Sequence, residues 1–184
     1  MTQSISATKT KTAAGIAAAI GFIAAIIIAN WATTKLGFVS VGFGLTATAG
    51  TYAAGIALAL RDATQDLLGR RAMFLILAVG IAVSYALSDP MIAVASAVAF
   101  GVSELLDFAV YTPLRRKSEV GDLRWAAAVG ISGIVGAIAD TAIFLGIAFG
   151  AAAILPALAG QLVGKTMANA AYIIFGKAVQ KWAR

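Results

Sequence analysis

The sequence predicts an all-α integral membrane protein, a bundle of six transmembrane helices with both termini in the cytoplasm. Three observations lead there. Hydrophobic residues fill 61% of the 184 positions and charged ones only 12%, whereas a soluble domain carries about a quarter charged residues. The apolar residues come in long blocks, more than a soluble core of this size can bury. The basic residues crowd into alternate connections between those blocks, as cytoplasmic loops do.

Six apolar segments are read at 13–30, 38–60, 72–88, 91–112, 125–150 and 157–177. At about 1.5 Å per helical residue each can cross a hydrocarbon core of about 30 Å. No strand alternation is read in them, and an open sheet leaves its backbone unsatisfied in lipid, so all six are expected to be helices. Asp89-Pro90 reads as a tight outer turn and Pro156 as the start of the last helix. Segment 38–60 is rich in Gly and Thr (Gly42, Gly44, Thr46, Thr48, Gly50, Thr51, Gly55). Such small residues suit close helix packing, and the sharper alternative is a locally broken helix lining a binding site. Lys9 and Lys11 before the first run imitate a signal peptide. The run is longer than a usual signal core and more spans follow, so an uncleaved first helix is expected. The chain reads as one domain, 1–184, without an internal repeat.

Charge sets the orientation. Lys9, Lys11, Arg61, Arg70, Arg71, Arg115, Arg116, Lys117, Arg124, Lys177, Lys181 and Arg184 fall on one side, twelve of the fourteen basic residues. The other side receives Lys35, and Lys165 lies inside the last span. This asymmetry predicts N-in, C-in topology in the plasma (inner) membrane. The net charge of +6 therefore reflects loop bias and does not indicate a nucleic-acid partner. Cysteine and histidine are absent, which excludes disulfides, thiol chemistry, imidazole proton relays and any His- or Cys-ligated metal. No cofactor is expected, and the absence of a phosphate-binding loop means that this chain does not itself use ATP.

Four ionisable side chains fall within the expected spans: Glu104 and Asp107 in the fourth, Asp140 in the fifth, Lys165 in the sixth. Each costs at least about 2.5–3.5 kcal/mol at bilayer depth, so partners or a polar cavity are required. Counting along the spans puts Glu104 and Asp140 near the midplane, with Asn169 one turn from Lys165. The plain reading pairs Lys165 with Asp140 or Glu104 as structural glue. That leaves one carboxyl group without a partner, which favours a cavity lined by acceptors and one cation. Asp62, Asp66, Arg70 and Arg71 read as a solvated, salt-bridged turn, with Asp62 the member that a longer second helix would draw inward. Tyr52, Trp31, Phe108 and Tyr111 offer stacking surfaces for a flat ligand, although Trp31 and Tyr111 fit an interfacial aromatic belt.

Four stretches carry a family resemblance: Asn30-Trp31; Asp62 through Gly69-Arg70-Arg71; Ser103-Glu104-Leu-Leu-Asp107 leading to Leu114-Arg115-Arg116; and Gly136-Ala-Ile-Ala-Asp140-Thr141. With Lys165 in the last span, the chain resembles the queuosine precursor transporter family, also called the vitamin uptake transporter family, along its whole length. The resemblance implies a six-helix carrier importing 7-deazaguanine bases such as 7-cyano-7-deazaguanine. Family members often have Gln where Glu104 stands and a basic residue where Asp66 stands. The implied substrate-binding set is Glu104, Asp107, Asp140, Lys165, Asn169, Asn30, Asp62 and Tyr52, with no catalytic residue. Its chemistry suits a purine-like small molecule: a carboxylate, Glu104 or Asp140, accepts from the N–H and exocyclic NH₂ of a guanine-like edge, while Asn169 meets the carbonyl and Lys165 balances charge.

Two other classes compete. A substrate-binding S component of an energy-coupling-factor vitamin transporter also has six helices and relies on a coupling partner. Alanines four apart (Ala14 and Ala18, Ala25 and Ala29) would suit such docking, or a homo-oligomer. An integral membrane enzyme of the phosphoalcohol transferase type needs a denser aspartate array than Asp62 and Asp66 supply. Topology is directly testable. Reporters fused after Arg71, Lys117 and Arg184 should read cytoplasmic and one at Asp89 external; a cytoplasmic signal at Asp89 would sink the six-span arrangement.

Overall fold

The computed structural model describes residues 2–116, 118–119 and 122–182. The side chains of Asp107, Phe108 and Asn169 and the reporter positions Lys117 and Arg184 lie outside the described set. The described residues run α1 (Thr2–Leu36), β1 (Phe38–Gly42), β2 (Leu45–Thr48), α2 (Thr51–Leu68), α3 (Arg70–Leu87), α4 (Pro90–Arg115), α5 (Leu123–Phe149) and α6 (Ile154–Trp182), with one 3-10 turn at Ala151–Ala153 before α6. Successive helices run antiparallel. At one end, Asp89 N–H donates to Thr34 Oγ1 (3.0 Å) and the rings of Phe38 and Phe149 lie 4.9 Å apart. At the other, Arg115 Nε meets Asp66 Oδ2 at 2.8 Å. These are called the hairpin end and the loop end.

Local chemistry accounts for the boundaries. Asp89 caps α4, its side chain accepting from Met91 and Ile92 N–H, with Pro90 in the first turn where its missing donor costs nothing. Asp122 caps α5 in the same way; the N–H groups of Glu119 and then Trp125 hold its carboxyl below the usual carboxylate range. Gly69 closes α2 at φ +83°, a conformation open to glycine at no cost, and its N–H returns to Gln65 O. The path of α4 bends by 46° between its Pro90–Leu106 and Ala109–Arg115 parts. Pro113 lacks the N–H that would reach the Ala109 carbonyl, and its ring crowds that carbonyl.

Among the described residues, four helical stretches can cross a membrane by length and composition, five if the two parts of α4 form one span. Their outward faces carry Ile20, Ile28, Leu75, Val79, Leu105, Ile131 and Ile138, all exposed and apolar, as a lipid-facing surface requires. Phe22, Ile26, Leu58, Leu77 and Phe100 form the core between α1, α2, α3 and α4. α2 is not among those stretches, because Arg61, Asp62 and Asp66 interrupt its apolar run.

Segment 38–60 departs from the expected helix. Residues 38–48 form an antiparallel hairpin pairing Phe38 with Thr48, Val39 with Ala47 and Ser40 with Thr46. Gly42, Phe43 and Gly44 all take positive φ (+90°, +54° and +71°), which no α-helix contains. The signal was a Gly-x-Gly turn between β-branched residues, overridden by the length of the apolar run. The second helix accordingly starts at Thr51 and continues to Leu68, drawing Arg61 and Asp62 inside it. Arg61 is only 1% exposed, so it leaves the set of loop cations counted for topology.

The hairpin is folded back onto the bundle. Ala49 N–H donates to Gly37 O (2.8 Å) and Gly50 N–H to Thr33 Oγ1 (3.2 Å). Such satisfaction is what allows non-helical backbone at membrane depth. Gly160 of α6 faces the Thr46 carbonyl and Gly50 faces the Ala29 carbonyl, each so closely that a Cβ would collide with backbone. Gly160→Ala should therefore lower the thermal midpoint, at a cost of about 1–3 kcal/mol. Gly101→Ala, where a Cβ meets nothing within 4 Å, should not. Equal midpoints for the two variants would refute this packing.

Candidate functional site

A small cavity lies in the hairpin half of the bundle. Asn30 and Thr33 from α1, Thr48 and Gly50 from the hairpin and the turn after it, Ala54 from α2, Ser96 and Phe100 from α4, Asp140 and Phe144 from α5, and Gln161 and Lys165 from α6 line it. Every polar side chain in this wall is at least nine-tenths buried.

Its charged pair joins α5 to α6. Lys165 Nζ contacts Asp140 Oδ2 at 2.5 Å and donates to Thr141 Oγ1 at 2.8 Å. Lys165 is 2% exposed and Asp140 5%. The backbone makes room: at Gly55 of α2 a Cβ would sit 2.8 Å from the Lys165 Cα, so glycine lets α2 approach α6 at the level of the ion pair. Two amides complete the polar wall. Asn30 Nδ2 donates to Ser84 Oγ (2.7 Å), and Gln161 Nε2 donates to Thr48 Oγ1 (3.1 Å). Thr48 in turn accepts through its carbonyl from Thr51 Oγ1 (2.7 Å), anchoring the hairpin to the first turn of α2. A carboxylate, an ammonium, two amides and two phenyl faces can together hold a small flat molecule with both donors and acceptors on its edge.

A second buried cluster lies toward the loop end. Arg61 gives its Nε and Nη2 protons to Asp62 Oδ1 (3.0 and 2.7 Å) and its Nη1 proton to Glu104 Oε2 (3.0 Å), with Arg61 and Glu104 each 1% exposed. Arg61 stands six residues beyond Gly55, roughly 9 Å along the axis. Of the carboxyls read within the spans, Asp140 is thus served by Lys165 and Glu104 by Arg61, which also holds Asp62. Sequence reading assigned Arg61 to a loop; its only signal was the i, i+4 run through Asp62 and Asp66, which points to helix.

Of the sequence candidates, Asn30, Asp140 and Lys165 meet in the cavity. Glu104 and Asp62 are brought together in the second cluster and are not in the cavity wall. Tyr52 is 41% exposed on the outer side of α2 and is likewise absent from that wall. Asp66 pairs with Arg115 across the loop end. Tyr111 is fully buried against Trp125, Ala128 and Val129, so it does not belong to an interfacial belt. Thr48 lies in the segment for which a broken helix lining a site was the alternative, whereas Thr33, Ser96 and Gln161 were missed; small polar residues in apolar runs carry little signal until the fold brings them together.

A family model described as "Putative vitamin uptake transporter" matches residues 1–179. No curated protein and no solved structure matches the chain.

The ion pair makes a testable claim. Lys165→Met leaves Asp140 charged and buried and should cost about 3–5 kcal/mol of stability, read as a lower midpoint in detergent or lipid. Asp140→Asn in the same chain should recover part of it. Strictly additive losses in the double mutant would show that the two residues do not interact.

Proposed function

The chain belongs to the vitamin uptake transporter family, and from that premise we propose that it is a six-span plasma-membrane carrier importing a 7-deazaguanine base, with both termini cytoplasmic. What supports the substrate reading is the Asp140–Lys165 pair in a cavity that also holds Asn30 and Gln161. The resemblance to queuosine precursor transporters points to the same substrate class.

The geometry suits a guanine-like edge. Asp140 accepts from the ring N–H and the exocyclic NH₂, two charge-assisted bonds to one carboxylate. Lys165 turns from Asp140 toward the ring carbonyl or the nitrile, so the resting pair stores the binding groups in neutralised form and exchanges one partner for the ligand. Phe100 and Phe144 flank the flat face. Asp140 takes the role that Glu104 was expected to fill, because Glu104 is occupied by Arg61. The neutral ligand leaves the net charge of the site unchanged, which keeps the cost of burial low.

Uptake of labelled 7-cyano-7-deazaguanine by cells or liposomes carrying this chain alone tests the proposal and also separates it from an S component that needs a partner. Asp140→Ala should abolish uptake while the protein still inserts, and Asp140→Asn should retain part of it. Analogues lacking the exocyclic NH₂ should compete about tenfold or more weakly, since they leave a buried acceptor unpaired. Equal competition by guanine-edge and adenine-edge analogues would remove 7-deazaguanines as the substrate.

A further inference from the structure

The Arg61 cluster has no part in the cavity wall, yet it ties together two helices that do. Ala54 of α2 and Phe100 of α4 both line the cavity. Arg61 lies seven residues beyond Ala54 and Glu104 four beyond Phe100, spacings that keep each on the same helix face as its cavity residue. The Arg61–Glu104 bond therefore closes the cavity floor toward the loop end.

From this floor a polar file continues to water. Asp62 and Asp66 are one turn apart on α2, and Tyr111 and Arg115 are one turn apart on α4 beyond its bend. Tyr111 is 0% exposed, its hydroxyl makes no hydrogen bond of ordinary geometry, and it stands in the field of Asp62 and Asp66. At the bottom, Asp66 and Arg115 reach solvent, with side chains 14% and 26% exposed. A buried hydroxyl between a solvated carboxylate and a buried one is a group that can accept and pass on a proton.

We propose that transport by this protein is coupled to protons and that Glu104 is the group that binds and releases the proton. The inference rests on the carrier reading but not on the identity of the base. The guanidinium of Arg61 keeps its proton at any physiological pH, so only the carboxylates of the cluster can change charge. Asp62 neighbours Arg61 on the same helix, whereas Glu104 meets Arg61 from α4, so protonation of Glu104 is the one that alters a bond between helices. The step is a plain transfer: hydronium arriving along the file gives one proton to the Glu104 carboxylate, forming one O–H bond and leaving water. The Arg61–Glu104 bond then changes from charge-assisted to neutral and weakens, freeing α2 from α4 at the cavity floor. The charged groups on the elements packed against α4 are Arg61, Asp62 and Asp66 of α2, Arg70 and Arg71 at the start of α3, and Arg124 and Asp140 of α5. Lys9 and Lys11 stand near the start of α1 and Lys35 at its end. Of these, Arg61 makes the ion pair with Glu104, and Asp140 is taken by Lys165.

Two readouts test this. In substrate-free liposomes, infrared difference spectra taken across pH should contain a reversible carboxyl band that disappears in Glu104→Gln and shifts in Glu104→Asp. Absence of a titrating band, or its persistence in Glu104→Gln, overturns the proton site. In the same liposomes an inward proton gradient should drive accumulation of labelled 7-cyano-7-deazaguanine, about tenfold per pH unit for one proton. Glu104→Gln should lose that accumulation and Glu104→Asp should keep part of it. Uptake indifferent to the gradient overturns the coupling. No uptake under any gradient, with the infrared band intact, overturns the 7-deazaguanine substrate and leaves the proton site standing.

Discussion

The contact between Lys165 and Asp140 is the interaction on which the cavity depends. A lone charge at that depth would cost at least about 2.5–3.5 kcal/mol. A pair in contact removes most of the penalty while keeping both charges available for a ligand. To bring the two together, α5 and α6 must cross there, and α2 must come close enough to exclude lipid from the pair. Gly55 permits the second condition, since any side chain at that position would push α2 off the Lys165 backbone. The ion pair and the glycine are thus one device.

The hairpin is the second constraint. A bundle of uninterrupted helices packs its own side chains into the space between them. Replacing the first half of an expected helix by two short strands leaves room that the helices do not fill, and Thr48 and Gly50 supply one wall of it. Its backbone costs little because the ends of α1 and α2 satisfy its polar groups. Close seats at Gly50 and Gly160 hold it without a bulky core of its own. Aromatic contacts from Phe38 through Phe149 to Phe144 connect the hairpin to the cavity wall, the second pair of rings lying 6.1 Å apart.

Much of the fold was legible because it follows from composition and turn chemistry. Asp89-Pro90 and the apolar run lengths located the ends of α3, α4 and α5 to within a few residues, since capping and hydrocarbon thickness act locally. Asn30, Asp140 and Lys165, which line the cavity, were legible for a related reason: polar groups in apolar runs are expensive and need partners. Arg61 was misassigned because a charge near the end of an apolar block looks the same whether its helix stops or continues. Glu104 was expected to read the ligand because depth alone cannot reveal which cation claims a carboxylate.

The sequence by itself determined that this chain must live in lipid, must be mostly helical and must find partners for its buried charges. These conclusions depend only on solvent, length and the cost of desolvation. The tertiary structure decided the pairing: Lys165 with Asp140, Arg61 with Asp62 and Glu104, Asp66 with Arg115. It also decided that residues 38–48 turn back as strands. Both outcomes depend on contacts between residues far apart in the chain, whose energies exist only once the helices have packed, and no local pattern contains them.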